Sequence, residues 1–202
     1  IKQVSPEEFL NKEFGYPVFC QIGPQYYTSH RNGYGFNFTH FMSYPAEYQS
    51  AFLPFAKAAD ILITGHYWDP GSPVLFTKEE MRDPGFRISV IADVTCDVNG
   101  SVPSTIRTAS ISDPFYGYDP VTGFEDPQFW KPGVITVMAV DNLPGELPRD
   151  SSVDFGRQLM KKVMDELIGG STSPIIDRAT ILREGKLTPK FSYLSDYLNF
   201  NI

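Results

Sequence analysis

Residues 87–94 read Arg87-Ile-Ser-Val-Ile-Ala-Asp-Val94, an almost continuous apolar run that Thr95-Cys-Asp97 follows directly. Strands buried on both faces of a parallel sheet show such continuous runs, whereas half-exposed strands alternate apolar and polar residues. The run therefore predicts a central strand of a sheet that helices cover on both sides.

Two further runs of the same kind lie upstream and downstream. They are Ile61-Leu-Ile-Thr-Gly65 and Gly133-Val-Ile-Thr-Val-Met-Ala-Val140. The longest helical pattern covers residues 148–168 and is closed by Gly169-Gly170. Alternation of buried strands with helices is typical of a doubly wound α/β fold. We therefore predict a mostly parallel, Rossmann-like sheet that is incomplete at its N-terminal end, with a helical segment at its C-terminal end.

Shorter elements are predicted around these strands. Ser and Thr are good N-caps, and Thr77 with a Glu three residues later has the pattern of a capping box. The predicted segments are a strand over 1–5, a helix opened by Ser5-Pro-Glu-Glu8, a strand over 17–22, a large aromatic loop over 23–48, a helix over 45–59, a short helix opened by Thr77-Lys-Glu-Glu80, and helices near 173–182 and 189–199.

The composition excludes several classes of protein. The chain has 202 residues and a formal net charge of −7, and it has no basic run that would bind the phosphates of a nucleic acid. Cys20 and Cys96 lack the spacing of a disulfide framework or of a Cys-based zinc site. The apolar stretches fall short of the roughly 20 residues that span a bilayer. We therefore expect a cytoplasmic protein without a nucleic-acid or membrane partner.

Polar residues follow each of the three long strands. They are Thr64-Gly-His-Tyr-Trp68, Asp93-Val-Thr-Cys-Asp97 and Asp141-Asn-Leu-Pro-Gly145. Ligands of open α/β sheets bind outside the carboxyl ends of the strands. These residues are therefore candidates to bind a ribose, a nicotinamide amide or a small polar substrate. Acids at strand ends also commonly cap turns and helices, and this alternative stays open.

The histidines and the motifs predict neither a metal site nor a hydrolase. His66 is either an acid–base group or a neutral histidine packed beside Tyr67 and Trp68. His30 and His40 lie in the aromatic loop without ligand-like spacing to a carboxylate, so both are interpreted as non-catalytic. The sequence contains no G-x-S-x-G nucleophile elbow and no G-x-G-x-x-G phosphate loop.

Several stretches in combination resemble a known family. They are Asp60-Ile-Leu-Ile-Thr-Gly-His-Tyr-Trp68, Val90-Ile-Ala-Asp-Val-Thr-Cys-Asp-Val-Asn-Gly100, Ile111-Ser-Asp-Pro-Phe115 and Ala139-Val-Asp-Asn-Leu-Pro-Gly-Glu-Leu-Pro-Arg149. They resemble the lysine–2-oxoglutarate reductase and saccharopine dehydrogenase (lysine-forming) family, and more distantly the alanine dehydrogenase and transhydrogenase superfamily. The resemblance covers most of residues 1–195.

The resemblance implies an NAD- or NADP-dependent oxidoreductase that acts on an amino-acid CH–NH bond. Lysine and 2-oxoglutarate form an imine that hydride reduces to saccharopine, or the reverse. In the family, a substrate domain with the catalytic Lys and His, and then the glycine loop, precede the matching part. The resemblance therefore implies that residues 1–170 are a partial dinucleotide-binding domain and that residues 171–202 return toward the substrate domain. It also implies that the chain is inactive alone.

The resemblance also assigns candidate site residues. Ile63-Thr64-Gly65 matches the backbone that lines the adenine and ribose side of the cofactor, and Val140-Asp141-Asn142-Leu143 matches the run that borders the nicotinamide. In alanine dehydrogenases, the positions of Asp97 and Asn142 hold a functional carboxylate beside the nicotinamide and an Asn beside the substrate. We therefore predict that these two residues are catalytic and that the two runs bind the cofactor.

The choice between the two cofactors stays open. The acid that binds the ribose 2′-hydroxyl in dinucleotide-binding folds is replaced by Ser5 in the match. Loss of that carboxylate removes repulsion against a 2′-phosphate, so NADP is admitted beside NAD, with Lys2 as the only close cation in sequence. Three further questions stay open: which amino acid is the substrate, whether the chain forms an oligomer such as a homo-oligomer, and whether it is a truncated product or a natural short form. An alanine dehydrogenase-like enzyme and a non-catalytic nucleotide-binding or assembly module are the alternatives.

Overall fold

A computed structural model describes residues 1–169 and 173–198. The chain divides into two compact units, Ile1–Leu143 and Pro144–Ile202. The predicted domain boundary between residues 170 and 171 falls outside the described residues and stays a prediction.

The first unit combines short helices with one large sheet and two small ones. Its helices are α1 (Pro6–Asn11), α2 (Pro24–Tyr27), α3 (Phe38–Ser43) and α4 (Leu53–Ala58). Its strands are β1 (Lys2–Gln3), β2 (Val18–Phe19), β3 (Thr28–His30), β4 (Tyr48–Ser50), β5 (Ile61–Thr64), β6 (Val90–Asp93), β7 (Phe115–Tyr118), β8 (Glu125–Asp126) and β9 (Ile135–Met138).

The large sheet has five strands in the order β5-β6-β9-β7-β8. Strand β6 pairs in parallel with β5 on one side and with β9 on the other, whereas β7 runs antiparallel to both β9 and β8. The three strands predicted from their apolar runs are therefore adjacent and co-directional. The sheet as a whole is mixed rather than mostly parallel, and the α/β architecture is compatible with a Rossmann-like fold.

The antiparallel half of the sheet comes from residues for which no element was predicted. Its two strands are joined by a turn at residues 119–123. The Asp119 carboxylate accepts hydrogen bonds from Val121 N at 2.8 Å and from Thr122 Oγ1 at 3.0 Å. Gly123 has a φ of 75°, a left-handed conformation that glycine adopts without steric cost. The Asp-Pro and Thr-Gly pairs of this turn are the local signals that mark it.

The sheet buries one face much more completely than the other. On the buried face, Ile91, Tyr116 and Val137 are at most 2% exposed, whereas Ile61 and Ile63 on the other face of β5 are 61% and 72% exposed. The prediction of burial on both faces is therefore wrong for β5. That strand lies at the edge of the sheet, where a continuous apolar run does not guarantee a second covering layer.

The aromatic segment 23–48 forms short regular elements instead of the predicted loop. Strands β3 and β4 pair antiparallel, with His30 opposite Tyr48. The Tyr48 side chain is 1% exposed, and its ring lies 5.8 Å from that of Phe36 and 5.0 Å from that of Phe41. This packing fixes an extended backbone at Tyr48, in the middle of a segment with a helical sequence pattern.

The helix predicted over 45–59 is therefore wrong in its first half. Pro45–Glu47 forms a single 3-10 turn, and the helix begins only at Leu53. Tertiary burial of an aromatic ring outweighs local helix propensity, which differs by less than about 1 kcal/mol between most residues.

The N-cap predicted at Ser5 and the capping box predicted at Thr77 are both present, and Ser5 also forms a capping box. Ser5 Oγ accepts from Glu8 N at 3.1 Å, and Glu8 Oε2 accepts from Ser5 N at 3.3 Å. Thr77 and Glu80 make the same two contacts at 3.1 and 2.7 Å. The second box opens only the 3-10 turn Glu80–Arg82, after which Asp83 is extended, because Pro84 disfavours helical geometry at the residue before it.

The second unit is mainly helical. The helix predicted over 148–168 is present and continuous, with a π-helical segment inside it. The elements are α5 (Pro148–Leu159), the π-helix Met160–Met164, α6 (Asp165–Ile168), α7 (Pro174–Ala179), the antiparallel pair β10 (Leu182–Arg183) and β11 (Lys186–Leu187), the 3-10 helix Pro189–Leu194 and α8 (Ser195–Leu198). The predicted helix ends at Gly170 and at residue 199 fall outside the described residues. Among the helices of residues 1–169 and 173–198, none has the length and apolar character to cross a membrane.

Gly117 lies where the antiparallel strands pack most closely. A Cβ there would lie 2.5 Å from the Asp126 carbonyl oxygen and 2.7 Å from Val134 Cγ1. We expect Gly117→Ala to lower the free energy of unfolding by about 2–3 kcal/mol, because paired backbone cannot move aside. Urea denaturation measures this, with Gly35→Ala as the control, since a Cβ at Gly35 meets no atom within 4 Å. Equal stability of the two variants would contradict the strand pairing.

Candidate functional site

The carboxyl ends of the three parallel strands meet at one edge of the sheet. Thr64 and Asp93, the last residues of β5 and β6, are register partners, and Val94 N donates to Thr64 O at 2.9 Å as the chain leaves β6. Ala92 pairs with Met138, the last residue of β9. The polar segments that follow these strands therefore begin side by side.

The carboxylate of Asp93 is the buried centre of this edge, with 0% of the residue exposed. Its Oδ1 accepts hydrogen bonds from Thr64 Oγ1 at 2.7 Å and from Thr95 N at 3.0 Å, and its Oδ2 accepts from Thr105 Oγ1 at 2.6 Å. Thr95 Oγ1 and Cys96 N also donate to Oδ1. A buried carboxylate requires such donors, because its desolvation costs several kcal/mol without them. Asp93 thereby connects the end of β5 with the loops that follow β6.

The loop after β6 is a tight turn that carries Asp97. Cys96 and Asn99 adopt positive φ angles of 56° and 55°, and Gly100 N donates to Asp97 O at 2.8 Å. A Cβ on Gly100 would lie 2.5 Å from Asp97 Cβ, so this turn accommodates only glycine there. Asp97 itself is exposed. The turn therefore holds an exposed carboxylate on a constrained backbone beside the strand ends.

His66 follows β5 and lies near two of these carboxylates. Burial lowers the pKa of His66 below its ordinary value of 6.5, and the charges of Asp93 and Asp97 oppose part of that shift. The imidazole packs against Tyr27, with 5.8 Å between the ring centroids. A neutral imidazole close to Asp97 is able to accept or donate a proton. The aromatic contact also fits the alternative of a packed, neutral histidine.

Cys96 shows that the second and third strand ends share one electrostatic environment. Burial raises the pKa of its thiol, and the charges of Asp93, Asp141 and Asp97 raise it further. The thiol is therefore held in its protonated form, which is a poor nucleophile. Asp97 and Asp141, which follow two different strands, thus both raise the pKa of the same thiol.

The structure brings some of the predicted site residues to this edge. Thr64 is buried in the contact with Asp93. A Cβ at Gly65 would meet no atom within 4 Å, so the backbone there has space for a ligand. Asp141 and Asn142 are exposed, as Asp97 is.

The other predicted site residues are buried or half-buried, or lie on the other face of the sheet. The Ile63 side chain is 72% exposed, but on the outer face of β5. Val140 is 3% exposed and pairs in parallel with Ala109. Leu143 is half-buried and begins the 3-10 helix Leu143–Glu146.

Two cavities of the first unit lie elsewhere. One of about 290 Å³ is lined by Phe41, Pro45, Tyr67 and Asp69 among others. A second of about 400 Å³ lies against α1, α2 and α4. Neither is lined by a predicted site residue.

Two parts of the site were not predicted. Asp93 was recognised as a strand end but not as a group on which the site depends. Its position at the end of a buried apolar run indicates that role, because buried carboxylates need several donors. Thr105 has no such signal, because it meets Asp93 only through the folding of the loop between them.

The large sheet is mixed, and its three parallel strands end at one polar edge. This arrangement defines an α/β protein and is compatible with the Rossmann-like class. The chain is homologous to alpha-aminoadipic semialdehyde synthases and to saccharopine dehydrogenases. The predicted family resemblance is therefore confirmed, at low identity and over part of the relatives. No protein-family model matches the chain.

The similarity extends over most of this chain. The mitochondrial alpha-aminoadipic semialdehyde synthase of Bos taurus is 27% identical over 177 residues, which are 75% of this chain and 19% of the relative. The synthase of Arabidopsis thaliana is 27% identical over 193 residues, 89% of this chain and 18% of the relative. Saccharopine dehydrogenase (NAD(+), L-lysine-forming) of Candida albicans is 29% identical over 125 residues, 60% of this chain and 30% of the relative. The chain thus spans less than a third of the length of these relatives.

The Asp93 contacts make a testable prediction about stability. Asp93→Ala leaves buried donors without an acceptor, so we expect the free energy of unfolding to fall by about 3–4 kcal/mol. Asp93→Asn keeps an oxygen acceptor and is expected to lose less than half of that. Asp97→Ala is the matched control, because an exposed side chain contributes within about 0.5 kcal/mol. Urea denaturation compares the three variants; equal losses for Asp93→Ala and Asp97→Ala would contradict the assigned roles.

The lowered pKa of His66 predicts a pH dependence. The unfolded chain binds a proton at His66 at higher pH than the folded chain does, so stability falls as the pH drops through 6.5 toward the folded pKa. We expect His66→Gln to reduce the loss of stability between about pH 7.5 and about pH 5.5. Urea midpoints measure this difference, and NMR titration of the His66 ring tests its origin. Titration of that ring above 6.5 would contradict the prediction.

Proposed function

We propose that this chain forms part of the nicotinamide dinucleotide-binding unit of an oxidoreductase that acts on the CH–NH bond of an amino acid. The observation that carries the proposal is the convergence of three parallel strand ends at one polar edge, because dinucleotides bind at this edge in open α/β sheets. Homology to proteins named saccharopine dehydrogenase and alpha-aminoadipic semialdehyde synthase supports the substrate class.

The edge suits the sugar and amide groups of a dinucleotide better than its phosphates. Asp97 and Asp141 are exposed acids and Asn142 is an exposed amide, so all three can accept hydrogen bonds from ribose hydroxyls or from a carboxamide. Carboxylates repel phosphates, and the glycine loop whose amides bind a diphosphate is absent from the sequence. The residues of this chain therefore fit one side of the cofactor.

We assign roles in keeping with the predicted site. Ile63-Thr64-Gly65 supplies backbone on the adenine and ribose side, and Val140-Asp141-Asn142-Leu143 borders the nicotinamide. Asp97 and Asn142 act at the reacting end, where Asn142 can both donate to and accept from the substrate. His66, near Asp97, is placed to hold a proton. A bound nicotinamide supplies the hydride chemistry, whereas these groups orient the reactants.

The substrates proposed are lysine with 2-oxoglutarate, or saccharopine in the reverse direction. The name of the Candida albicans relative specifies NAD(+) and L-lysine formation, which makes NADH the first cofactor to test. The position of Ser5 does not support a preference for NADP. Ser5 follows β1, which pairs with β2 in a separate two-stranded sheet and not in the large one. NADP therefore stays a second candidate. The cytoplasmic location also stays a prediction, and the Bos taurus relative is named mitochondrial.

Cofactor binding is tested on the chain by NMR. We expect NADH to shift the backbone amide resonances of Gly65, Asp97 and Asn142 and to leave that of Gly35 unchanged, because only the first three lie at the strand ends. Asp141→Ala is expected to weaken binding by about threefold to tenfold, because one typical hydrogen bond contributes about 1 kcal/mol. Glu13→Ala removes an exposed acid of α1's C-terminal flank and serves as the control. Shifts that are uniform along the chain, or absent, would contradict the proposed site.

The reaction is tested on the protein at its natural length. Oxidation of NADH in the presence of lysine and 2-oxoglutarate, and not with ammonia and pyruvate, is the expected result. The opposite preference would support an alanine dehydrogenase-like reaction. Binding of NADH at the strand ends without turnover of either pair would support a non-catalytic nucleotide-binding module.

A further inference from the structure

Three side chains that commonly bind metals converge within the aromatic segment 23–48. His30 Nε2 lies 3.3 Å from Glu47 Oε2, and His40 Nε2 lies 3.8 Å from the same oxygen. One ligand atom of each residue lies within 4.8 Å of the other two. Neither histidine has ligand-like spacing to a carboxylate in the sequence, but the fold brings Glu47 close to both rings. The pairing of β3 with β4 and the turn after α3 bring Glu47 to both rings, and no local spacing shows this.

The hydrogen bonds around His40 leave one ring nitrogen facing an acceptor. Tyr48 Oη lies 3.3 Å from Asn37 O and 3.3 Å from His40 Nδ1. Since a carbonyl can only accept, the Tyr48 hydroxyl donates to Asn37 O and accepts from Nδ1–H. The lone pair of His40 Nε2 then faces the carboxylate of Glu47. Two acceptors at this distance attract each other only through a cation between them.

The ring of His30 is held differently. Asn32 N donates to His30 Nδ1 at 3.1 Å, so the ring proton of the neutral histidine lies on Nε2, toward Glu47. A metal on Nε2 requires that proton to move to Nδ1 and the contact with Asn32 N to break. Asn32 lies in an exposed turn, where water can replace the lost partner, so the cost is that of one exchanged hydrogen bond.

We propose that His30, His40 and Glu47 bind a divalent transition-metal ion of the zinc type. Two imidazoles and one carboxylate are a ligand set that zinc uses with water in its fourth position. The side chains of His40 and Glu47 are 38% and 50% exposed, whereas that of His30 is 4% exposed. The site is thus anchored on the buried side and open to water on the other. The contact between His40 Nδ1–H and Tyr48 is the outer-shell hydrogen bond that orients metal-bound histidines.

The bound ion would connect α3, which carries His40, to the β3–β4 pair. Glu47 reaches both rings only through long contacts of 3.3 and 3.8 Å. A metal binds folded protein more tightly than unfolded protein, because only folding brings the three ligands together. The ion therefore stabilises this part of the first unit, independently of any cofactor at the strand ends.

The proposal is tested with Zn²⁺ on the full chain. We expect one bound equivalent after gel filtration, measured by elemental analysis, and a higher unfolding temperature with zinc than with a chelator. Glu47→Gln and His40→Gln are expected to weaken zinc binding at least tenfold. Glu13→Gln makes the same chemical change elsewhere, and His66→Gln removes the histidine outside the cluster; both are expected to bind zinc as the unmodified chain does.

Nitrogen-15 NMR of the histidine rings distinguishes a metal from a proton between the ligands. Binding is expected to move the His30 ring proton from Nε2 to Nδ1 and to shift the Asn32 amide resonance. Retained zinc binding in Glu47→Gln, or its loss in His66→Gln, would overturn the proposal. So would a doubly protonated His40 ring near pH 7 that zinc leaves unchanged, because a proton then occupies the position proposed for the ion.

Discussion

The buried carboxylate of Asp93 is the interaction on which the rest of the strand-end edge depends. Five donor groups from four residues converge on its two oxygens, from the end of β5, from the turn after β6 and from Thr105. Because a carboxylate without donors is costly to bury, the folded state is favoured only when all three segments are in place. The position of Asp97, four residues further along, is therefore fixed by a carboxylate whose acceptors are occupied by the protein's own donors.

The sequence predicted those parts of the fold that depend on local patterns. The apolar runs located β5, β6 and β9. Because continuous apolar runs are typical of parallel strands, the carboxyl ends of these three strands were expected at one edge of the sheet. Strand β7 was missed because its core-forming rings are interrupted by Gly117, which only close packing explains. The helix expected through Tyr48 failed for a related reason: the burial of one ring against Phe36 and Phe41 decides the backbone there, and that contact has no local signature.

The same distinction separates what could be predicted of the sites. Residues at the ends of long strands are found from topology alone, which is why Gly65, Asp97 and Asp141 were named. Groups that meet across loops are not found in this way. Thr105 reaches Asp93, and Glu47 reaches His30, through tertiary pairing, so spacing along the chain gave no indication of either contact.

Asp93 and Asp97 have the same side chain, but the difference in their burial gives them different roles. Donors surround Asp93, so its acceptors are occupied and its role is to hold the strand ends. Asp97 and Asp141 are exposed, and in the described part of the chain no ion pair includes either of them. Exposed carboxylates accept hydrogen bonds from a ligand and attract positive charge. Ribose hydroxyls, a carboxamide and the amino groups of lysine offer such donors or charge, whereas phosphates do not. The negative charges at this edge therefore favour contact with the amino-acid substrate and the nicotinamide of the proposed cofactor over contact with its diphosphate.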